Sequence, residues 1–372
     1  LTGLTEKQDQ LEAIWLDPLA TGTSADKWQD LASVASDPNP FYSPSFLQPY
    51  LRALPAKSVR LLVIRNKMTG TWLMAAPAGR QPAGLAVPIP TVWTSHFAPL
   101  GTPLLHPCAS HDAMKLFVRA ASGPAHVLAL PFLPKESRFA GLAAGLPDWP
   151  ASWSHVIDRA GHSAGQTGHS QLTAAFHGKK RKEMRRQLRR LEDHGPVSVR
   201  HLSGADALRG FDDFLELEAR GWKGRAGTAL VNQPETAAFA RDMILARADH
   251  NGVRIDQLWA GNSLVASLVL LIEGDRVFSW KIAFDEAFAR MSPGAQIAII
   301  ALKQNLAIPN FKSADSLAIP GHPMIGALWR GRVSVGTLLL SNGAAGTALA
   351  GLARADLTIE QILRKKARAL KN

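Results

Sequence analysis

The stretch from Asp206 to Asn305 constrains the fold most, because its periods and punctuation admit few arrangements. Asp206 to Gly221 carries Phe211, Phe214 and Leu215 at helical spacing with Glu218 near its end. Pro234 to Asn251 predicts a second helix with proline in its first turn. Arg254 to Ala260 and Ser263 to Glu273 then read as strands joined at Gly261-Asn262, and Arg276 to Phe284 follows the tight Gly274-Asp275 turn. Helix, helix, hairpin, strand, loop and helix make a mixed α/β domain.

Upstream, Leu11, Ile14 and Trp15, then Trp28 and Leu31, predict short helices within residues 1–36. The turn-rich run from Asp37 to Pro44 leads into a helix over Ser45 to Leu54. Arg60 to Ile64 and Thr71 to Ala76 read as strands around a turn at Asn66 to Gly70. Prolines between Pro77 and Pro107 limit long helices, since each removes an amide donor and restricts its predecessor. Ala113 to Ala121 reads as helix, His126 to Leu130 as strand, and Gly161 to Gly168 as a connector. Lys179 to Leu191 is strongly helical and stops at His194-Gly195-Pro196, before a strand at Val197 to Leu202. A chain of 372 residues accommodates two domains more comfortably than one. The expected division is 1–165, then 166–330, with 331–372 as a C-terminal helical extension.

Hydrophobic residues make up 46% of the chain, so disorder is not the default for its bulk. The single cysteine, Cys108, permits no internal disulfide and favours a cytoplasmic compartment. Forty-two basic against 30 acidic residues give a formal charge of +12, which attracts anionic partners without choosing among nucleic acid, acidic lipid and a phosphorylated cofactor. Val333 to Leu352 is the longest weakly polar run, but its Gly, Ala, Ser, Thr and Asn point to a packed or surface-lying segment rather than a membrane span.

Phe278, Trp280, Ile282 and Phe284 alternate with Ser279, Lys281 and Ala283, so one strand face packs while the other offers Lys281. The strand runs into the polar loop Asp285 to Gly294. There Ser292 is placed to cap a helix, Pro293 suits its first turn, and Gly294, Ala295 and Gln296 would offer amides to a phosphate, with Arg290 as a charged donor. The bland alternative is that Ser-Pro-Gly merely starts a helix. Neither a P-loop nor a complete Gly-x-Gly-x-x-Gly pattern is present.

Two blocks, Leu217-Glu218-Ala219-Arg220-Gly221-Trp222-Lys223-Gly224-Arg225 continuing to Leu230, and Trp280-Lys281-Ile282-Ala283-Phe284-Asp285-Glu286 continuing to Gly294, resemble the CelD/BcsL-like acetyltransferase family. That family belongs to the GNAT superfamily and is related to FemAB-type transferases. The resemblance spans Lys179 to Trp329, with a looser likeness at Asn39 to Ser43. It implies tandem GNAT-like domains, each with a twisted mixed sheet flanked by helices, and acetyl-CoA or another acyl-CoA bound near the splayed strands of the C-terminal one. The Arg290 to Gly294 loop departs from the usual GNAT phosphate loop through Met291-Ser292-Pro293.

Acyl transfer to an amine needs a neutral nitrogen, alignment on a thioester carbonyl and stabilisation of the oxyanion. Glu218 is the first candidate for acceptor positioning or proton removal, against a solvated carboxylate or a partner of Arg225. Asp285 and Glu286 stand at the other cleft edge, as base or amine-binding carboxylate. Lys281 is placed to meet an acyl or phosphate oxygen, Trp222, Trp280 and Arg225 to border the acceptor, and His322, in Pro320-Gly321-His322-Pro323, to accept a proton. Packing, ion pairing and turn formation are the plain alternatives for each.

His155, His162 and His169 recur every seven residues without a supporting ligand motif, so no metal is expected. Lys179 to Arg190 holds eight basic residues and one glutamate, with Met184, Leu188 and Leu191 as an apolar stripe. That stripe packs on protein, and sequence-specific nucleic-acid recognition is not expected. Ile359, Ile362, Leu363 and Ala367 form one face of a basic C-terminal helix suited either to the globular body or to anionic lipid, as a peripheral contact with the inner membrane. The acceptor is expected to be an amine of a small molecule, sugar or envelope precursor. The competing readings are a FemAB-like aminoacyltransferase using aminoacyl-tRNA and a non-catalytic polyanion- or glycan-binding protein.

Overall fold

The computed structural model describes residues 10–20, 22–54 and 59–369, with side chains through Ala367. Residues 1–9 of the stretch read as short helices, and the side chain of Arg368, lie outside the described residues. The chain divides into two compact units, one of residues 1–47, 56–157 and 334–372, the other of 48–55 and 158–333. The expected boundaries thus shift, and 331–372 is no separate extension: its first residues form a strand of the sheet.

In chain order the elements are β1 (Leu11–Leu16), α1 (Thr23–Val34), α2 (Pro44–Ala53), β2 (Arg60–Asn66), β3 (Trp72–Pro82), β4 (Pro88–Val92), β5 (Leu104–Leu105), α3 (His111–Ser122), β6 (Val127–Pro134), α4 (Arg138–Ala144) and β7 (Ala151–Ser163). They continue as α5 (Gly165–Ala175), α6 (Gly178–Glu192), β8 (Val197–Leu202), α7 (Ala205–Arg220), α8 (Trp222–Arg225), α9 (Pro234–Ala248), β9 (Val253–Ala260), β10 (Ser263–Glu273), β11 (Arg276–Phe284), α10 (Pro293–Leu306), β12 (Ser313–Asp315), α11 (Ile325–Leu328), β13 (Gly331–Ser341) and α12 (Gly343–Ala369).

The architecture is mixed α/β, and the two units repeat one connectivity. In the first, β1 is followed by α1, the antiparallel strands β2, β3 and β4, helix α3, and β6 parallel to β4. In the second, β8 is followed by α7, α8 and α9, then antiparallel β9, β10 and β11, helix α10, and β12 parallel to β11. A strand from elsewhere in the chain closes each sheet. β13 pairs antiparallel with β6, and the 161–163 end of β7 pairs antiparallel with β12.

Two local expectations fail for tertiary reasons. Leu11, Ile14 and Trp15 lie in a strand, because Leu11–Leu16 finds the open edge of β2 as partner. Gly161 to Ser163 continues β7 rather than forming a connector, since Ala314 and Asp315 pair with it, and α5 begins at Gly165. Within Val333 to Leu352, Leu338, Leu339 and Leu340 are buried strand residues. Among the described residues no helix is long and apolar enough to cross a membrane.

The core of the second unit places the site. Leu258, Val265, Leu268 and Leu270 of the meander pack with Ile297, Ala298, Ala301 and Leu302 of α10 and with Trp329, whose indole N–H donates to Ala298 O at 3.0 Å. α10 therefore lies fixed across the sheet behind β11. Gly294 packs closely there: a Cβ would stand 2.9 Å from Met324 Sδ, and that side chain would have to shift.

Candidate active site

β11 changes partners partway along its length. Arg276, Val277 and Phe278 pair with Ser313, Ala314 and Asp315 of β12, and the pairing ends there. Against β10, Val269 stands opposite Lys281 and Leu270 opposite Ser279, so Trp280 is an extra residue in a bulge. A bulge bends its strand and re-aims side chains, and bulges recur beside active sites. Residues 279–284 thus leave the line of β12 and present an edge without that neighbour.

A break after α7 and one close-packed glycine let the end of the helix approach this edge. Gly221 breaks the helix with extended backbone at φ −80° and ψ −173°. At Gly224 a Cβ would lie 1.8 Å from Ala219 O, so only glycine permits the tight turn through α8. The turn carries Lys223 back over α7, where its ammonium donates to Glu218 Oε1 at 2.8 Å and to Ile282 O at 3.0 Å. Glu218 is 2% exposed, and its Oε2 accepts the Leu230 amide at 2.9 Å. Buried carboxylates persist when each oxygen has a donor.

Lys281 faces the same place. Its ammonium lies 5.7 Å from the Trp280 ring centroid. Burial pushes its pKa down to about 8, with the Glu218 charge resisting and the Lys223 charge adding to the shift. The Trp280 ring is buried edge-on to Phe239 at 6.2 Å.

The acidic pair after β11 builds the corner. Asp285 Oδ1 accepts the Ala287 amide at 2.9 Å and so caps the short turn 286–291. Glu286 Oε1 accepts the Trp222 amide at 2.8 Å, and its Oε2 accepts Arg225 Nη2 at 2.5 Å. The hydrogen bond from Arg225 foremost holds the Glu286 carboxyl below its usual range. Both carboxylates are thus engaged in structure. Arg225 pairs with Glu286, not Glu218, and Trp222 is 53% exposed, so its ring lines no enclosed channel.

The expected phosphate cradle has a different form. Ser292 adopts left-handed backbone, φ 51° and ψ 51°, and its side chain caps nothing. Its carbonyl instead accepts the amides of Ala295 at 3.0 Å and Gln296 at 3.1 Å. The Gln296 side chain is buried and donates to Met184 O at 2.9 Å, tying α10 to α6. Three free amides are therefore not available to a pyrophosphate in this conformation. Arg290 is exposed at the end of the preceding turn. His322 is spent locally: its Nδ1 accepts the Ile325 amide at 3.4 Å, at the start of α11.

The structure thus brings Glu218, Lys281 and Trp280 together at one strand edge and adds Asp285, Glu286, Trp222 and Arg225 as the frame, while Arg290 is exposed and His322 bonds within its own loop. Lys223 was not singled out from sequence. Its five-residue separation from Glu218 matches no helical pairing rule, and only the break at Gly221 makes the contact.

Residues 178–304 match the acetyltransferase (GNAT) domain family. The strand edge, α7, α8 and most of α10 all fall within that span. Among solved structures, the chain is similar in fold to the C-terminal domain of a putative lysylphosphatidylglycerol synthetase from Agrobacterium fabrum, at 13% identity and TM-score 0.54 over 90% of this chain and 96% of that one. FemX is similar at 8% identity and TM-score 0.54, over 88% and 96%. A conserved protein of unknown function from Bacteroides thetaiotaomicron is similar at 14% identity and TM-score 0.53, over 89% and 100%. A search of the curated proteins returns no match.

Proposed function

We propose that the chain is an N-acyltransferase that moves an acetyl or other acyl group from acyl-CoA to an amine of a small molecule, sugar or envelope precursor. The parting of β11 from β12 carries this reading: beyond Phe278 the strand offers a backbone edge, bordered by Glu218, Lys223 and Lys281, inside a span that matches the GNAT family. An open edge suits an extended donor bearing amides, which adds to a sheet as a further strand does. The sequence blocks at 217–230 and 280–294 support the finer likeness to the CelD/BcsL-like family.

In a ternary complex the acceptor nitrogen attacks the thioester carbonyl, the C–N bond forms, the C–S bond breaks, and CoA leaves as thiolate while nitrogen loses a proton. Lys281, with its pKa near 8, is our candidate to take that proton, and Glu218 is the positioning group that holds Lys223 on the edge. Asp285 and Glu286 keep the corner in place. With the Ala295 and Gln296 amides engaged, Arg290 is the expected contact for donor phosphates.

A second reading, aminoacyl transfer from aminoacyl-tRNA, is favoured by the seven exposed cations of α6 and by the likeness in fold to FemX and to the lysylphosphatidylglycerol synthetase domain. Thiol release from acetyl-CoA, followed across a panel of amines, separates the two. Acceptor-dependent release supports the CoA reading. Its absence, together with acceptor-dependent deacylation of aminoacyl-tRNA, supports the other.

A further inference from the structure

Helix α12 is anchored on one side and bare on the other. Its Ala350 and Ala353 pack with Ile89, Val127, Ala129 and Leu339 of the first unit. The Asp356 carboxylate accepts the amides of Gly84, Leu85, Ala86 and Val87 at 2.9 to 3.2 Å. A Cβ on Gly84 would meet Asp356 O at 2.6 Å, so this loop lies directly on the helix.

Along the flank of the helix that borders the Asp356 contact, Leu352, Ile359, Ile362 and Leu363 are 60%, 53%, 50% and 50% exposed. Positions 352, 359 and 363 fall on one line of an α-helix, with 362 beside it. Leu85, 52% exposed, comes from the loop clasped by Asp356 and adds a second element to the apolar surface. Clustered exposed aliphatics of this kind mark contact with another phase or partner. Lys365 and Lys366 are exposed beside the stripe. The carboxylates of the helix are engaged, Asp356 by the loop and Glu360 by Arg364 at 2.6 Å.

We propose that this face of α12 docks on a bilayer surface containing anionic phospholipid. The helix lies in the interface with the five aliphatic side chains in the acyl boundary, while Lys365 and Lys366 reach the phosphates. A second copy of the chain fits less well, since it would set two cationic rims together with no unengaged carboxylate of α12 to answer them. The basic helix α6 lacks the same property: Met184 and Leu191 are buried, and its exposed positions carry no apolar side chain to insert.

The test is sedimentation of the full chain with vesicles of phosphatidylcholine alone or with about one third phosphatidylglycerol. The chain is expected to pellet with the anionic vesicles and less as salt rises. Ile359→Ser/Leu363→Ser should lower partitioning about tenfold or more, and Lys365→Glu/Lys366→Glu should remove the preference for phosphatidylglycerol. All four positions are exposed, and unchanged circular dichroism confirms that each variant is folded. The proposal falls if the wild-type chain stays in the supernatant with both vesicles, or if Ile359→Ser/Leu363→Ser binds like wild type. It also falls if the chain is a dimer that binds no vesicle and that this variant converts to monomer.

Discussion

The Glu218 carboxylate and the Lys223 ammonium meet at 2.8 Å across the break between α7 and α8, and the same ammonium reaches Ile282 O on the open strand edge. One ion pair therefore joins the end of a helix to the proposed reaction site. Lys223→Met leaves a buried carboxylate with its Leu230 amide but without its cation. Unfolding by urea should show a loss of about 2–4 kcal/mol. In Glu218→Gln/Lys223→Met the loss should be smaller than the sum of the single changes, because neither residue is then left charged and buried.

Lys281 makes stability and turnover depend on pH in the same region. Its folded pKa near 8 lies below the ordinary 10.5. Between those values the folded chain has released a proton that the unfolded chain keeps, so stability rises with pH across that window. Lys281→Met lacks this term, and melting curves of the two proteins should diverge accordingly from pH 8 upward. In the proposed role, kcat should also rise through about pH 8 in the wild type and lose that inflection in the variant.

His162 should set an acid limit. Its ring packs against Trp329 at 4.8 Å and Phe311 at 5.2 Å, and its Nε2 accepts from Asn305 Nδ2 at 3.0 Å. Burial lowers its pKa to about 4, with the Ser163 carbonyl opposing and Arg254 assisting. The unfolded chain binds the proton first as pH falls below 6.5, so stability declines from there to about 4 and then levels, by at most about 3 kcal/mol. His162→Gln should show a shallower decline over that range.

Gly224→Ala tests the turn. A methyl group cannot stand 1.8 Å from Ala219 O, so α8 must move and take Lys223 off the strand edge. Turnover should fall at least tenfold, with stability reduced by roughly 1–3 kcal/mol. Gly221→Ala, whose Cβ meets nothing nearer than 3.6 Å, is the control that should retain most activity.

Much of the second unit was legible because it is built from local patterns. The strands β9, β10 and β11, the turns between them and helices α7 and α9 follow from periodicity and glycine placement. β1 was misread as helix because its apolar spacing suits either state and only pairing with β2 decides it. The exchange of closing strands was hidden for the same reason: β7 and β13 each pair with a strand distant in sequence. At the site, Glu218, Trp280 and Lys281 could be nominated from their place beside a loop. The Trp280 bulge, Lys223 as partner and the use of the Ala295 and Gln296 amides by Ser292 depend on register and backbone angles that side-chain identity does not reveal.

Calorimetric binding of acetyl-CoA to the purified chain tests the central claim most directly. The account predicts saturable binding at concentrations up to about 1 mM, competition by free CoA, and weaker binding by Arg290→Ala with Lys281→Met close to wild type. No heat of binding with acetyl-CoA across that range, alongside saturable binding of aminoacyl-tRNA, would contradict it.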